Sequence, residues 1–203
     1  MKYKLLQKSD IAIVNNNKKD LYSYTVFKGH QSIDVSDRDS CWVIDLKNNL
    51  VKTVTNTTIE SETLAVIIYG YKPFDRVSEI NDWTTLPYVN GCSTTQLLPP
   101  IRKGDPTFQL LRIPPFSSEQ AHHIHSTARI VYVYKGRGKS VIGMEGKMTE
   151  LELEEGQVLI LDKMVPHHFV TEDEPLVVIP LHIFSSTGKD EYDHPMFNGT
   201  HLV

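Results

Sequence analysis

Three histidines fall within four positions of the stretch EQAHHIHSTARIVYVYKGRG, residues 119–138. Imidazole is a metal ligand and, near neutral pH, a proton carrier. Side chains at i and i+2 of a strand point to one face. His123 and His125 therefore share a face, where their rings can converge on one point, and His122 points to the other. A His-x-His has a chance count of roughly 0.4 in a chain of this length with this many histidines, so the pair carries weight only with a third ligand. The stretch GQVLILDKMVPHHF, residues 156–169, offers one. There a glycine turn and a buried strand lead to a proline and to His167, which opens the next strand, and His168 points away from it in a surface or hydrogen-bonding role. Two cysteines, Cys41 and Cys92, form no CxxC pair and are expected as free thiols. A catalytic thiol at Cys92 would need a depressed pKa.

These residues sit on a chain that reads as short strands throughout. Proline and glycine recur every ten or so residues, and the segments between them are β-rich. Expected strands are 22–27, 40–46, 50–55 and 63–71, then 107–113, 121–127, 128–136, 139–144, 148–153, 157–161, 167–171 and 175–184. KNN, residues 47–49, and KGRGK, residues 135–139, read as hairpin turns. Only residues 75–83 read as a short helix. Evenly spaced short strands mean an all-β sandwich or barrel. A boundary is placed near Thr85, giving an N-terminal β region, 1–85, that is an extension or a degenerate half-barrel. Residues 86–203 form the second part, with eight of the nine histidines. The tail 189–203, with His194 and His201, is expected to dock through Met196, Phe197 and Leu202.

Composition bounds the function. The 203 residues are 40% hydrophobic and 23% charged, enough for a buried core, and the formal net charge is −4. Without a basic excess to neutralise phosphates, nucleic acid is not an expected partner. The apolar runs are strand-sized, far short of a membrane span, and the first residues show no signal-peptide run. The expected location is cytoplasmic.

The spacing of His123, His125, Gly136, Gly156 and His167 resembles that of the cupin superfamily. Its two motifs read roughly G-x5-H-x-H-x(3,4)-E-x6-G and G-x5-P-x-G-x2-H-x3-N. The resemblance covers about residues 107–184. Ser117 replaces the first glycine and Arg129 the glutamate, while Asp162, Met164 and Thr171 replace the proline, glycine and asparagine of the second motif. The resemblance implies a jelly-roll β-barrel with His123, His125 and His167 pointing into its cavity. Three clustered imidazoles in an apolar interior are costly without partners, and a divalent metal gives them a shared one. Nitrogen ligands suit Fe, Ni, Zn or Cu, with Fe2+ favoured here. The alternative is a barrel that has lost its metal and holds its histidines by hydrogen bonds.

Arg129, Val131 and Val133 share the face that the resemblance turns inward. A buried arginine demands an anion: a substrate carboxylate beside the metal, or an internal acid such as Glu119 or Asp162. His182, in register with Val178 and Phe184, is a proton shuttle or a satisfied core histidine. Gln109 shares parity with Ile113 and is expected toward the cavity. Ile130, Tyr132 and Tyr134 on the alternate face pack between sheets or form a subunit interface. The resulting expectation is a metal-dependent enzyme, an Fe(II) dioxygenase of a small anionic or chelating carbonyl substrate, acting as a homodimer. A non-redox isomerase or lyase with Zn or Ni, or a non-catalytic small-molecule-binding barrel, stands beside it.

Overall fold

The computed structural model describes residues 3–16, 22–81, 83–101 and 104–184; the tail from residue 189, with His194 and His201, lies outside them. The strands in chain order are β1 Tyr3–Leu6, β2 Ala12–Asn16, β3 Tyr24–Lys28, β4 Gln31–Val35, β5 Ser40–Asp45, β6 Leu50–Val54, β7 Thr57–Ser61, β8 Leu64–Ile68 and β9 Arg76–Glu79. They continue as β10 Leu86–Pro87, β11 Ser93–Leu98, β12 Thr107–Ile113, β13 Thr127–Ile142, β14 Thr149–Glu154, β15 Val158–Leu161, β16 His167–Val170 and β17 Leu176–Phe184. The one helical element among the described residues is a 3-10 turn at Val89–Gly91, so the all-β expectation holds. No helix among them is long and apolar enough to cross a membrane.

The chain divides into two compact units. The first combines Met1–Lys8, Asn81–Gln96 and Thr107–Ile183, and the second combines Ser9–Ile80, Leu97–Pro106 and Phe184–Val203. A single cut at Thr85 therefore does not describe the division. The reason is long-range strand pairing: β1 pairs antiparallel with β15, Tyr3 opposite Leu161 and Leu6 opposite Val158.

In the first unit the strand order is β1-β15-β13-β17-β12-β11-β10, with β14 and β16 also paired to β13. The long β13 belongs to two ladders. Arg129–Tyr132 pair with β15, and the segment from Arg137 to Ile142 pairs with β14 and β16. Residues 135–139 are thus no hairpin turn, and the glycines serve the bend and close packing instead. Gly136 has φ +74°, and a Cβ there would strike the carbonyl oxygen of Pro175. The inner faces follow the period of two. Leu111 and Ile113 of β12, Val131 and Val133 of β13, Leu159 and Leu161 of β15, and Leu176 and Val178 of β17 share one apolar core with Phe169 and Cys92. Ile130 and Tyr132, on the alternate face of β13, are buried within the single chain, and Tyr134 at the end of the stripe is half-buried.

In the second unit a six-stranded sheet, β2-β3-β8-β5-β6-β9, is accompanied by the pair β4-β7. Ile33, Val35, Cys41, Val43, Ala65 and Ile67 form its apolar cluster. The turn 47–49 joins β5 to β6, with Asn49 at φ +56° donating its N–H to the Leu46 carbonyl at 3.2 Å. The helix expected over 75–83 is instead β9, whose backbone pairs with β6, Thr53 opposite Arg76 and Leu50 opposite Glu79. The apolar spacing of Val77, Ile80 and Trp83 imitates a helical stripe, but ladder hydrogen bonds outweigh so short a helix.

Candidate metal centre

Three strands of the first unit, β12, β13 and β17, carry inward positions that are apolar at one end and line a cavity at the other. β12 runs from Ile113 and Leu111 to Gln109, β13 from Val133 and Val131 to Arg129, and β17 from Leu176 and Val178 to Pro180 and His182. The polar ends meet in a cavity of about 250 Å³ lined also by Tyr88, Thr94, Glu119 and His125.

His123, His125 and His167 come together beside it. One ring nitrogen of each lies within 4.8 Å of those of the other two. Ring centroids are 4.4 Å apart for His123 and His125, 4.9 Å for His123 and His167, and 5.5 Å for His125 and His167. Nδ1–H of His123 donates to the Ala121 carbonyl at 2.8 Å, and Nδ1–H of His167 to the Val165 carbonyl at 2.7 Å. These bonds fix the tautomer that leaves a lone pair on Nε2. The Nε2 atoms of all three histidines are buried without a protein partner.

Electrostatics hold the rings neutral. Burial depresses the pKa of His123, that of His125 to about 2 and that of His167 to about 3, with the Arg129 charge adding to each. Neutral imidazoles with free lone pairs are the form a metal requires. Three orphaned, converging Nε2 atoms therefore fit a divalent ion, which would satisfy all of them at once.

The expected strand 121–127 is not formed. The segment carries a single β-bridge, between His123 and His167, before β13 begins at Thr127. The shared face of His123 and His125 survives this. His122 and His168 face away from the cluster and hydrogen-bond each other, Nδ1 to Nδ1, at 2.8 Å.

Arg129 lines the cavity, and burial lowers its pKa to about 10, opposed by the charges of Glu119 and Tyr88. A guanidinium stays protonated at that value, so its charge remains. Its Nε–H contact with Thr127 Oγ1 is long, 3.4 Å. Glu119 is 4% exposed, and its Oε2 has no partner. Burial raises its pKa against the pull of Arg129. Acid and base share one cavity, and Glu119 Oε2 is left with no ion pair. His182 also lines the cavity; its Nε2 is buried without a partner, and burial holds its pKa well below the ordinary value.

Gln109 faces the cavity as its parity required. Cys92 lies in the apolar core with its pKa raised by burial, opposite to what a catalytic thiol needs. Glu119 and Tyr88 are cavity residues that periodicity did not single out, because both sit in loops. The signal for Glu119 was its place four residues before His123, in a segment that pairs back through Glu119 N–H to the Phe169 carbonyl at 2.9 Å.

Comparison with known proteins agrees with this architecture. Residues 109–184 match the family model described as cupin domain. The fold is similar to that of a putative glyoxylate induced protein from Pseudomonas aeruginosa, with a TM-score of 0.62 and 12% identity over 93% of this chain and 91% of that one. It is also similar to a Lactobacillus farciminis oxalate decarboxylase solved as a formate complex, with a TM-score of 0.57 and 9% identity over 90% of this chain and 86% of that one. At such identities the likeness is one of fold alone. No curated protein matches the sequence. Both motif glycines are in place at positive φ, and the three histidines converge inside the β framework at the spacing of the motifs; over residues 109–184 the chain is similar to the cupin domain.

Proposed function

We propose that the polar half of this interior is the active site of a metal-dependent enzyme acting on a small anionic, chelating carbonyl compound. One observation carries the reading: three partnerless Nε2 atoms converge beside the charged Arg129 in a cavity of about 250 Å³. A divalent ion on His123, His125 and His167 would supply Lewis-acid polarisation of a coordinated oxygen and, as iron(II), a redox-active centre for dioxygen. Arg129 binds and orients the substrate carboxylate through its planar donors. Glu119, kept toward its protonated form by burial, donates to a substrate oxygen or moves a proton there. His182, neutral at the cavity wall, accepts a hydrogen bond or a proton at Nε2. Leu111 and Pro180 supply the apolar wall that keeps water from the reacting atoms.

The leading chemistry is Fe(II)-dependent dioxygenation. A non-redox lyase or isomerase with Zn or Ni is the second reading, favoured by Glu119, because a buried protonated carboxyl beside a cavity suits proton transfer. The test is elemental analysis of anaerobically purified protein beside His125→Ala, followed by oxygen-electrode assays on a panel of chelating carbonyl compounds. About one equivalent of iron, lost in the variant, together with oxygen uptake is the expected result. One equivalent of zinc or nickel without oxygen uptake selects the second reading. A bound metal with no turnover leaves a small-molecule-binding barrel. No metal as purified and none after reconstitution overturns the proposal.

A further inference from the structure

We propose that His122 and His168 are positioning residues that clamp the two ligand-bearing segments together from the face opposite the metal. The inference rests on the metal-site reading above and concerns residues that do not touch the metal. His123 and His167 exchange both backbone bonds of an antiparallel bridge, His123 N–H to the His167 carbonyl at 3.2 Å and His167 N–H to the His123 carbonyl at 2.9 Å. In that register the next rung sets His122 opposite His168. Consecutive residues project to opposite faces, so the rung carrying two ligands inward is followed by a rung whose side chains face outward. On that rung His122 Nδ1 and His168 Nδ1 are 2.8 Å apart.

The tautomers are determined by the surroundings. His122 Nε2–H donates to the Gly143 carbonyl at 2.5 Å, so His122 Nδ1 accepts and His168 Nδ1–H donates. Gly143 has φ +121°, and a Cβ there would meet the Lys147 carbonyl oxygen at 2.5 Å, so the acceptor is held by a residue that must be glycine. One imidazole thereby ties the 121–126 segment both to β16 and to the chain just past the end of β13.

The need for such a tie follows from the backbone. His167 sits in β16, whose ladder with β13 sets Ile142 opposite His167 and Val141 opposite His168. Residues 117–119 pair back on β16 through the Ser118–Val170 bridge and Glu119 N–H to the Phe169 carbonyl, but His123 and His125 sit beyond them and outside any strand, where the backbone is held by the His123–His167 bridge and by Met164 N–H donating to the His125 carbonyl at 2.7 Å. Metal–ligand distances tolerate only about 0.2 Å. A segment held by so few backbone bonds can slide or twist by more than that unless side chains lock it.

The test uses the whole chain stripped of metal, with Co2+ as probe. Its affinity is measured by chelator competition and its geometry by the visible absorption bands. His122→Ala and His168→Ala are each expected to weaken Co2+ about 10–100-fold and to change the band pattern, and the double variant to lose no more than either single one. His168→Asn keeps a donor near the place of Nδ1–H and is expected to recover most of the affinity, which mere loss of folding would not allow. Co2+ affinities of both alanine variants within twofold of the parent, while His167→Ala does not bind, overturn the clamp and leave the metal site standing. A parent chain that binds no Co2+ instead sinks the metal reading. The clamp is then decided on the apo protein by long-range 1H–15N spectra. It predicts broadened or shifted His123 and His167 ring signals in His168→Ala, and unchanged signals overturn it.

Discussion

The apolar cluster of the second unit and the cavity end of the first follow the same rule of alternation and put opposite things inside. In the second unit the inward positions of β4, β5 and β8 are Ile33, Val35, Cys41, Val43, Ala65 and Ile67, an apolar cluster. In the first unit the inward positions begin as apolar and end as Gln109, Arg129, Pro180 and His182 around a cavity, with His123, His125 and His167 beside it. Buried polar atoms without partners cost free energy. Four such atoms are the Nε2 nitrogens of His123, His125, His167 and His182, and a fifth is Oε2 of Glu119. The second unit's cluster favours folding and offers no chemistry, whereas the first unit's interior gives up stability at one end to hold groups that a ligand or metal can satisfy.

The largest effect that tests this contrast is on the proposed anion-binding role of Arg129. Arg129→Leu makes the polar end of β13 resemble an inward position of the second unit. It is expected to lower kcat/KM by about 10²–10³-fold, as removal of a positioned charged donor does, with metal content unchanged. Steady-state kinetics beside elemental analysis check it, and parental kinetics would sink the role.

The converse substitution acts on stability alone. Ile33 is 2% exposed in the second unit's cluster. Ile33→Ala is expected to cost about 2–4 kcal/mol from lost burial and the cavity left behind, read from the urea midpoint, with the metal equivalent per folded chain intact. Loss of metal at full folding would show that the contrast between scaffold and site is drawn too sharply.

How far the sequence spoke depended on whether the determining contacts were local. The His123–His125 pair, the parity of Gln109 and His182, and the strands 107–113 and 175–184 were legible because a period of two is a local property. β1 was not, because what makes residues 3–6 a strand is the partner β15 far along the chain. β4 and β7 were missed because QSIDV and TTIES carry few apolar residues, and each is a strand by virtue of the other. β13 was read as two strands because Gly136 and Gly138 look like turn residues, and only the approach of Pro175 and of the Val170 carbonyl explains them inside one strand. Glu119 could be named as an acid but not placed, since a loop and not a period carries it into the cavity.

A smaller effect sharpens the cost assigned to the polar interior. His182→Leu replaces a buried, partnerless imidazole by a side chain of the kind that fills the other unit's cluster. The apo protein is expected to gain about 1 kcal/mol, measured by urea unfolding with chelator present. A loss of several kcal/mol would mean that His182 is a satisfied core residue after all.

The same histidines should make apo stability depend on pH, and the sign is fixed by the direction of their shifts. His125, His167 and His182 have folded-state pKa values below the ordinary value near 6.5, about 2 for His125 and about 3 for His167, each mainly through burial. Above pH 6.5 they are neutral in both states and cost nothing through protonation. As pH falls below 6.5 the unfolded chain takes up protons that the folded chain refuses, so stability falls with falling pH down to the folded values near 3. Glu119 works the other way, because its raised pKa lets the folded state bind a proton first, but it is one group against these three and His123, whose pKa burial also lowers. Urea midpoints of the chelated protein at pH 7.5, 6.5 and 5.5 should therefore decline, and His182→Leu, with one such group fewer, should show a shallower decline. A flat profile in the parent would mean that these rings protonate within the fold, which neutral, metal-ready imidazoles do not do. A decline of equal slope in the variant would move the effect to other groups and leave His182 out of the set held neutral.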